Sequence, residues 1–251
     1  MTGNRVVLEL PKQKMPQKAM ILAAGLGRRM RPITDNMPKP LIKVCGKPLL
    51  DHGLDALENA GVSNVVVNVH HHAEQIVDHI EKRKGMHIKV SDETDQLLDS
   101  AGGIVKALPY LGSDPFFVLN ADSFWIEGFK PNLVRMAEQW DDKKMDMLLL
   151  LAGMCSAVGF GSKGDFTMDP DGKLERRGEL KVAPFAYAGA AIVTPKVFEN
   201  APEGPSSLNR QFDQALEKSR LFGLRLEGLW LHVGTPDAIR QAEEAIARSA
   251  A

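Results

Sequence analysis

Residues 19–32 read Ala19-Met20-Ile21-Leu22-Ala23-Ala24-Gly25-Leu26-Gly27-Arg28-Arg29-Met30-Arg31-Pro32. The first six residues make a short buried strand that ends at Gly25. Gly25 and Gly27 let the chain turn sharply and bring amide N–H groups close to an anion. Arg28, Arg29 and Arg31 follow at once, and Lys39 is held between Pro38 and Pro40, which stiffen its backbone. A stiff basic loop after a strand suits a polyphosphate, with arginine offering planar forked donors and lysine a compact charge. A dinucleotide fingerprint needs a third glycine where Met30 stands. A Walker A loop needs Gly-Lys-Ser/Thr, but Gly46-Lys47 is followed by Pro48. On the Gly-x-Gly pair alone, a strand–helix turn with solvated arginines is explanation enough. The arginine cluster and Pro38-Lys39-Pro40 together tip the reading to a phosphate loop.

Outward from this strand, apolar runs alternate with amphipathic helical patterns. The patterning predicts helices over 48–60, 73–84 and 103–108, the last closed by Pro109. It predicts strands over 64–69, 86–90, 115–119 and 145–151. Strand, helix, strand, repeated, implies an α/β fold: three layers, Rossmann-like, around a central mixed and mainly parallel sheet. In such a sheet ligands bind beyond the carboxyl ends of the strands. The later sequence is less regular. Residues 164–167 and 174–175 flank the turn Asp169-Pro170-Asp171-Gly172 as a hairpin, 185–193 is a strand, and 207–219 and 236–248 are helices. Residues 1–17 read as an extension ahead of one domain over 18–251. It divides into a first half of about 18–125, which carries the phosphate loop, and a second of about 126–251.

Bulk composition closes off other classes. The 251 residues carry a formal net charge of -1 with no long basic run, so a general nucleic-acid binder is not expected. Cys45 and Cys155 lie far apart and read as reduced thiols, which predicts a cytoplasmic protein. The longest apolar stretch, 147–152, is too short to span a bilayer, so no membrane partner is expected. His70, His71 and His72 with Glu74 and His79 lack metal-protease spacing, and a surface helix after a strand explains them better. The acidic segment 91–100 is either a solvated loop or one that closes over a ligand.

Residues 21–50, ILAAGLGRRMRPITDNMPKPLIKVCGKPLL, closely resemble the opening of sugar-phosphate nucleotidylyltransferases. Later motifs match in order: Ser100-Ala101-Gly102-Gly103-Ile104, Asn120-Ala121-Asp122, Gly164-Asp165-Phe166, and Trp230-Leu231-His232-Val233-Gly234-Thr235-Pro236. The resemblance runs from about residue 18 to the end. It is strongest to the compact N-acetylmuramate α-1-phosphate uridylyltransferases of cell-wall recycling, without the C-terminal β-helix of larger relatives.

It implies the nucleotide-diphospho-sugar transferase fold, with a nucleoside triphosphate and a sugar 1-phosphate as partners, Mg²⁺ or Mn²⁺ as cofactor, and a monomer or dimer. The reaction implied is in-line attack of the sugar phosphate on the α-phosphorus, with pyrophosphate leaving. By motif position, Arg29 contacts the triphosphate and Lys39 holds the sugar phosphate, and Arg31 reinforces the same region. Ala23, Ala24, Gly25 and Gly27 frame the base and phosphates. Gly102 and Gly103 let the backbone approach the nucleobase, or simply start a helix. Asn120 lies in the substrate site, Asp165, Tyr187 and Gly189 contact the sugar, and Asp122 binds the metal. Many relatives have a second metal carboxylate where this chain has His232. Imidazole suits softer metals than magnesium, so His232 is expected beside the metal, on manganese, or packed beneath the site. Mannose-1-phosphate guanylyltransferase and glucose-1-phosphate nucleotidylyltransferase are alternatives within the same chemistry. A catalytically weak nucleotide-sugar-binding regulator is the alternative outside it.

Overall fold

The structure, a computed structural model, describes residues 15–249. Most of the expected N-terminal extension lies outside the described residues. The chain runs β1 (Lys18–Leu22), three 3₁₀ turns (Arg28–Met30, Ile33–Asp35, Lys39–Leu41), β2 (Lys43–Val44), β3 (Lys47–Pro48), α1 (Leu49–Asn59), β4 (Asn64–Val69), α2 (Ala73–Ile80) and β5 (His87–Asp92). It continues through α3 (Asp99–Leu111), β6 (Phe116–Asn120), β7 (Ser123–Glu127), α4 (Asn132–Gln139) and β8 (Met147–Gly153). The last elements are β9 (Phe166–Met168), β10 (Leu174–Arg176), β11 (Phe185–Val193), α5 (Asn209–Glu217), β12 (Leu221–Arg225), β13 (Gly228–His232) and α6 (Pro236–Ser249).

Nine strands form one mixed sheet. β5, β4, β1 and β6 are parallel neighbours, β11 runs antiparallel to β6, and β8 joins β11 to a parallel β12. Period-two alternation sorts the apolar side chains onto two faces. Ala19, Ile21, Val65, Val67, Phe117 and Leu119 pack with α1, α2 and α4. Met20, Val66, Phe116 and Val118 pack with α3 and α5. The three-layer α/β architecture expected from the sequence is therefore the observed one.

β1 sits between β4 and β6, so the chain leaves it toward one side of the sheet and returns on the other. The crevice at such a switch point is where ligands bind. Leu22, the last residue of β1, is level with Asn68 on β4 and Asn120 on β6. β11 is bulged between Tyr187 and Ala191, where Gly189 takes φ +84°. Through this bend its first part reaches β9 and its last part β6.

Two helices differ from the periodicity. The helix expected over 103–108 is α3, which starts at Asp99 because Ser206 offers its carbonyl to the N–H groups of Ala101 (2.8 Å) and Gly102 (3.2 Å). It also passes Pro109, and the ladder resumes with Gly112 N–H on the Leu108 carbonyl, 2.9 Å away. The helix expected to reach 84 stops at Ile80, where Arg83 is drawn off to Asp55 (2.8 Å) and Glu58 (2.6 Å). Among the described residues no helix is long and apolar enough to cross a membrane.

His52 on α1 stacks on Phe124 with ring centroids 3.9 Å apart, and its Nε2 is buried with no described partner. Burial, and then the Lys47 charge, push its pKa from the ordinary 6.5 down to about 4. The unfolded chain thus takes up a proton that the folded imidazole refuses. The stability from this group is complete above 6.5 and is lost as pH falls toward 4. After discounting for partial exposure we expect about 1–2 kcal/mol across that window. Urea unfolding at several pH values checks it: His52→Phe should flatten the profile relative to the parent, and parallel profiles would contradict the assignment.

Candidate active site

The loop after β1 is built before any ligand arrives. Ala23 N–H donates to Asn68 Oδ1 (2.7 Å), and Asn68 Nδ2 donates to Glu93 Oε1 (2.7 Å). Glu93, wholly buried, accepts Leu98 N–H on its other oxygen at 3.0 Å. A fully paired buried network of this kind holds one geometry. Farther along, His71 and His72 bond the carbonyls of Thr34 (2.9 Å) and Asp35 (3.2 Å), and Gln75 bonds that of Asn36 (3.1 Å). The histidine run is thus a clamp on the basic loop. Among the described residues no group of three or more His, Cys, Asp or Glu is placed to hold a metal. Gly27 has φ +60°, and a Cβ there would lie 2.8 Å from Thr34 Cγ2 and 3.1 Å from Lys39 Cβ. The glycine is required for the loop to fold back onto Lys39.

This loop opens into a cavity of about 590 Å³. Ala23, Ala24, Gly25, Gly27 and Arg29 line one side, and Leu97, Asp99, Ser100 and Pro205 lie among the residues opposite. Arg29 has no hydrogen-bond or ion-pair partner among the described residues, so its guanidinium is available to a ligand. Arg31 is placed differently from the expectation. It leaves the 3₁₀ turn with φ -58° and ψ 143° and pairs at the surface with Asp35 (3.2 Å), lining neither this cavity nor its neighbour.

At the floor, Lys39 Nζ donates to Asp122 Oδ2 at 2.9 Å, with the lysine side chain only 12 % exposed. Burial alone would raise the Asp122 pKa, but Lys39, His232 and Arg29 together hold it below the ordinary carboxylate value. The two-stranded ribbon of β7 and β13 pairs Ser123 with His232, and Val233 N–H donates to the Asp122 carbonyl (2.9 Å). This brings the Trp-Leu-His-Val-Gly segment beside the aspartate. A Cβ on Gly234 would lie 2.7 Å from His232 Nε2 and 3.5 Å from Arg29 Nη1, so the missing side chain makes room for both. Burial is the main cause that lowers the His232 pKa, against the opposing pull of Asp122.

A second cavity, of about 390 Å³, shares Asn120 and Asp122 with the first. Asp165, Tyr187 and His232 line it. Asp165 Oδ2 accepts Tyr187 N–H (2.9 Å). The Tyr187 hydroxyl is buried without a described partner, and burial followed by the Asp122 charge pushes its pKa far above the ordinary phenol value. Gly189 stands behind this wall: a Cβ there would lie 2.3 Å from Ser123 Oγ and 3.2 Å from Asn120 Cβ.

Gly102 and Gly103 line neither cavity. A Cβ on Gly102 would strike the Gly204 carbonyl at 2.5 Å. One on Gly103 would meet Glu93 Oε1 at 2.6 Å and Asn68 Nδ2 at 2.8 Å. Their smallness serves helix packing over the pinned network. Gly103→Ala is expected to cost about 1–3 kcal/mol by overpacking, read as a lower urea midpoint. Unchanged stability with a raised nucleotide KM would return the pair to the base. Sequence reasoning did not single out Asn68, Glu93 or Gly234. Asn68 shows in the sequence only as the polar break in Asn-Val-Val-Val-Asn-Val, and Glu93 lies in a segment read as a solvated loop or one that closes over a ligand.

Residues 18–164 match the family model described as nucleotidyl transferase. The chain is 42% identical over 238 residues to the N-acetylmuramate alpha-1-phosphate uridylyltransferase of Caulobacter vibrioides, covering 93% of this chain and 98% of that one. It is 34% identical over 230 residues to the enzyme of the same name from Neisseria meningitidis, covering 90% and 96%. Among solved structures it is similar to a UDP-glucose pyrophosphorylase complexed with UDP-glucose. The TM-score is 0.77 at 18% identity, over 94% of this chain and all of that one, a likeness of fold.

Proposed function

Because the chain belongs to the nucleotidyl transferase family, we propose that it is the enzyme joining N-acetylmuramate α-1-phosphate to UTP, giving UDP-N-acetylmuramate and pyrophosphate in the cytoplasm. The observation that carries this reading is the meeting of two cavities at Lys39 and Asp122. One is lined by the phosphate loop, and the other by aromatic rings with Asn120, Asp165 and Tyr187 among them. UTP takes the first cavity, with its base and phosphates framed by Ala23 to Gly27, and the sugar takes the second.

A sugar phosphate oxygen attacks the α-phosphorus in line, so catalysis is positioning and charge neutralisation. Lys39 holds the attacking phosphate at the junction. Arg29 meets the leaving pyrophosphate. Asn120, Asp165 and Tyr187 orient the sugar. Asp122 would hold a magnesium ion through its carboxylate, of which only Oδ2 is engaged among the described residues, by Lys39; magnesium takes one or two carboxylates with phosphate and water. Held there, the ion would supply neutralisation of phosphate charge. The His232 imidazole is a poor magnesium ligand and would stay beside the ion.

A pyrophosphate-release assay crossing ribonucleoside triphosphates with sugar 1-phosphates tests the proposal. Turnover with Mg²⁺ confined to UTP and N-acetylmuramate 1-phosphate is expected. Preference for mannose or glucose 1-phosphate with another triphosphate would keep the chemistry and replace the substrate. Nucleotide binding without turnover on any sugar phosphate would sink the enzyme reading.

A further inference from the structure

Among the charged groups of the sugar-side cavity, Arg176 at the end of β10 has no role yet. Asp122 and Asp165 are carboxylates, and Arg176 is the one lysine or arginine among the residues lining that cavity. The sugar's own phosphate is met at the junction by Lys39, so the cation on the far wall, although ion-paired through Nε with Asp213, is placed to meet a second anionic group. Its fork is pre-set. Nε donates to Asp213 at 2.8 Å, and Nη2 donates to Asn209 Oδ1 at 3.1 Å and to the Asn209 carbonyl at 3.3 Å. The guanidinium lies over the buried Phe166 ring, 5.1 Å from its centroid, and 5.9 Å from that of Phe212. Nη1 bonds no described residue. A guanidinium held on one edge and stacked on aromatic rings loses little freedom when its remaining donors engage a carboxylate.

We infer that Arg176 is the specificity-determining residue of this cavity, receiving a carboxylate carried by the sugar and so selecting acidic sugar 1-phosphates over neutral ones. The inference rests on the reading of this cavity as the sugar site. A neutral hexose would leave the Nη1 donors to water, whereas the lactyl carboxylate of N-acetylmuramate supplies their partner.

The test compares three substrates in the parent enzyme, Arg176→Gln and Arg176→Lys. They are N-acetylmuramate 1-phosphate, N-acetylglucosamine 1-phosphate (the same sugar without the lactyl ether) and glucuronate 1-phosphate. Arg176→Gln is expected to raise KM for the carboxylate sugars roughly 10- to 50-fold, as for a lost charge-assisted bond. The kcat, the UTP KM and the KM for the neutral sugar should stay within about 2-fold, which also reports an intact fold. Arg176→Lys keeps the charge without the fork and should recover part of the loss. An equal rise of KM for acidic and neutral sugars in both variants would overturn the inference and leave the proposed reaction standing. Arg176-dependent turnover of glucuronate 1-phosphate, with none of N-acetylmuramate 1-phosphate, would uphold the inference and remove the proposed substrate. A parent enzyme that accepts only neutral sugar phosphates would overturn both.

Discussion

Asp122→Asn is expected to lower kcat on the order of 10³-fold, several kcal/mol of transition-state stabilisation, while the chain stays folded. Asparagine has nearly the shape of aspartate and can still accept from Lys39 Nζ, now 2.9 Å from Oδ2. The backbone tie between Val233 N–H and the Asp122 carbonyl is untouched, so the β7–β13 ribbon keeps its place. What disappears is the charge that the surrounding cations maintain. Lys39, His232 and Arg29 all favour the ionised form against the penalty of burial. Without it the proposed magnesium loses its carboxylate, and two cations face each other without a counter-charge. The measurement is kcat across a magnesium titration, beside a thermal unfolding curve. A variant with more than about a tenth of parental kcat and an unchanged metal requirement would place the metal elsewhere.

Arg29→Ala should lower kcat about 10²- to 10³-fold, the loss typical of a donor aimed at developing charge, and Arg31→Ala should change it less than about 3-fold. The two residues are separated only by Met30 and carry the same charge, yet the backbone sends them to different places. Arg29 faces the cavity without a described partner, so its loss should leave stability unchanged. Arg31 is a surface ion pair with Asp35, whose side chains are 67% and 51% exposed, and such pairs contribute little. Single-turnover rates with saturating substrates separate the chemical step from binding. Comparable damage from both substitutions would mean that the loop rearranges around the triphosphate, with Arg31 turning inward.

The sequence by itself determined the class of fold. In β1, β4 and β6 nearly every residue is apolar, and period two places such strands between two helical layers, as the two cores on the sheet faces bear out. It also determined which residues carry the chemistry to be tested, because a rigid basic loop and an aspartate just past a buried strand are local features.

Tertiary structure decided which of those residues meet. Lys39 and Asp122 are 83 positions apart and join only because β1 and β6 lie side by side. β7 and β13 stand outside the main sheet as a separate two-stranded ribbon, and their pairing carries His232 and Gly234 to Asp122. The Gly102-Gly103 pair reads as a base seat, a helix start or both, and only the folded chain shows what crowds it, the Gly204 carbonyl and the Glu93–Asn68 network. Glu93 sits in an acidic run, and it is buried because Asn68 and the Leu98 N–H satisfy both of its oxygens. Propensity and periodicity act over a few residues, whereas the burial of a charge depends on partners that arrive from anywhere in the chain.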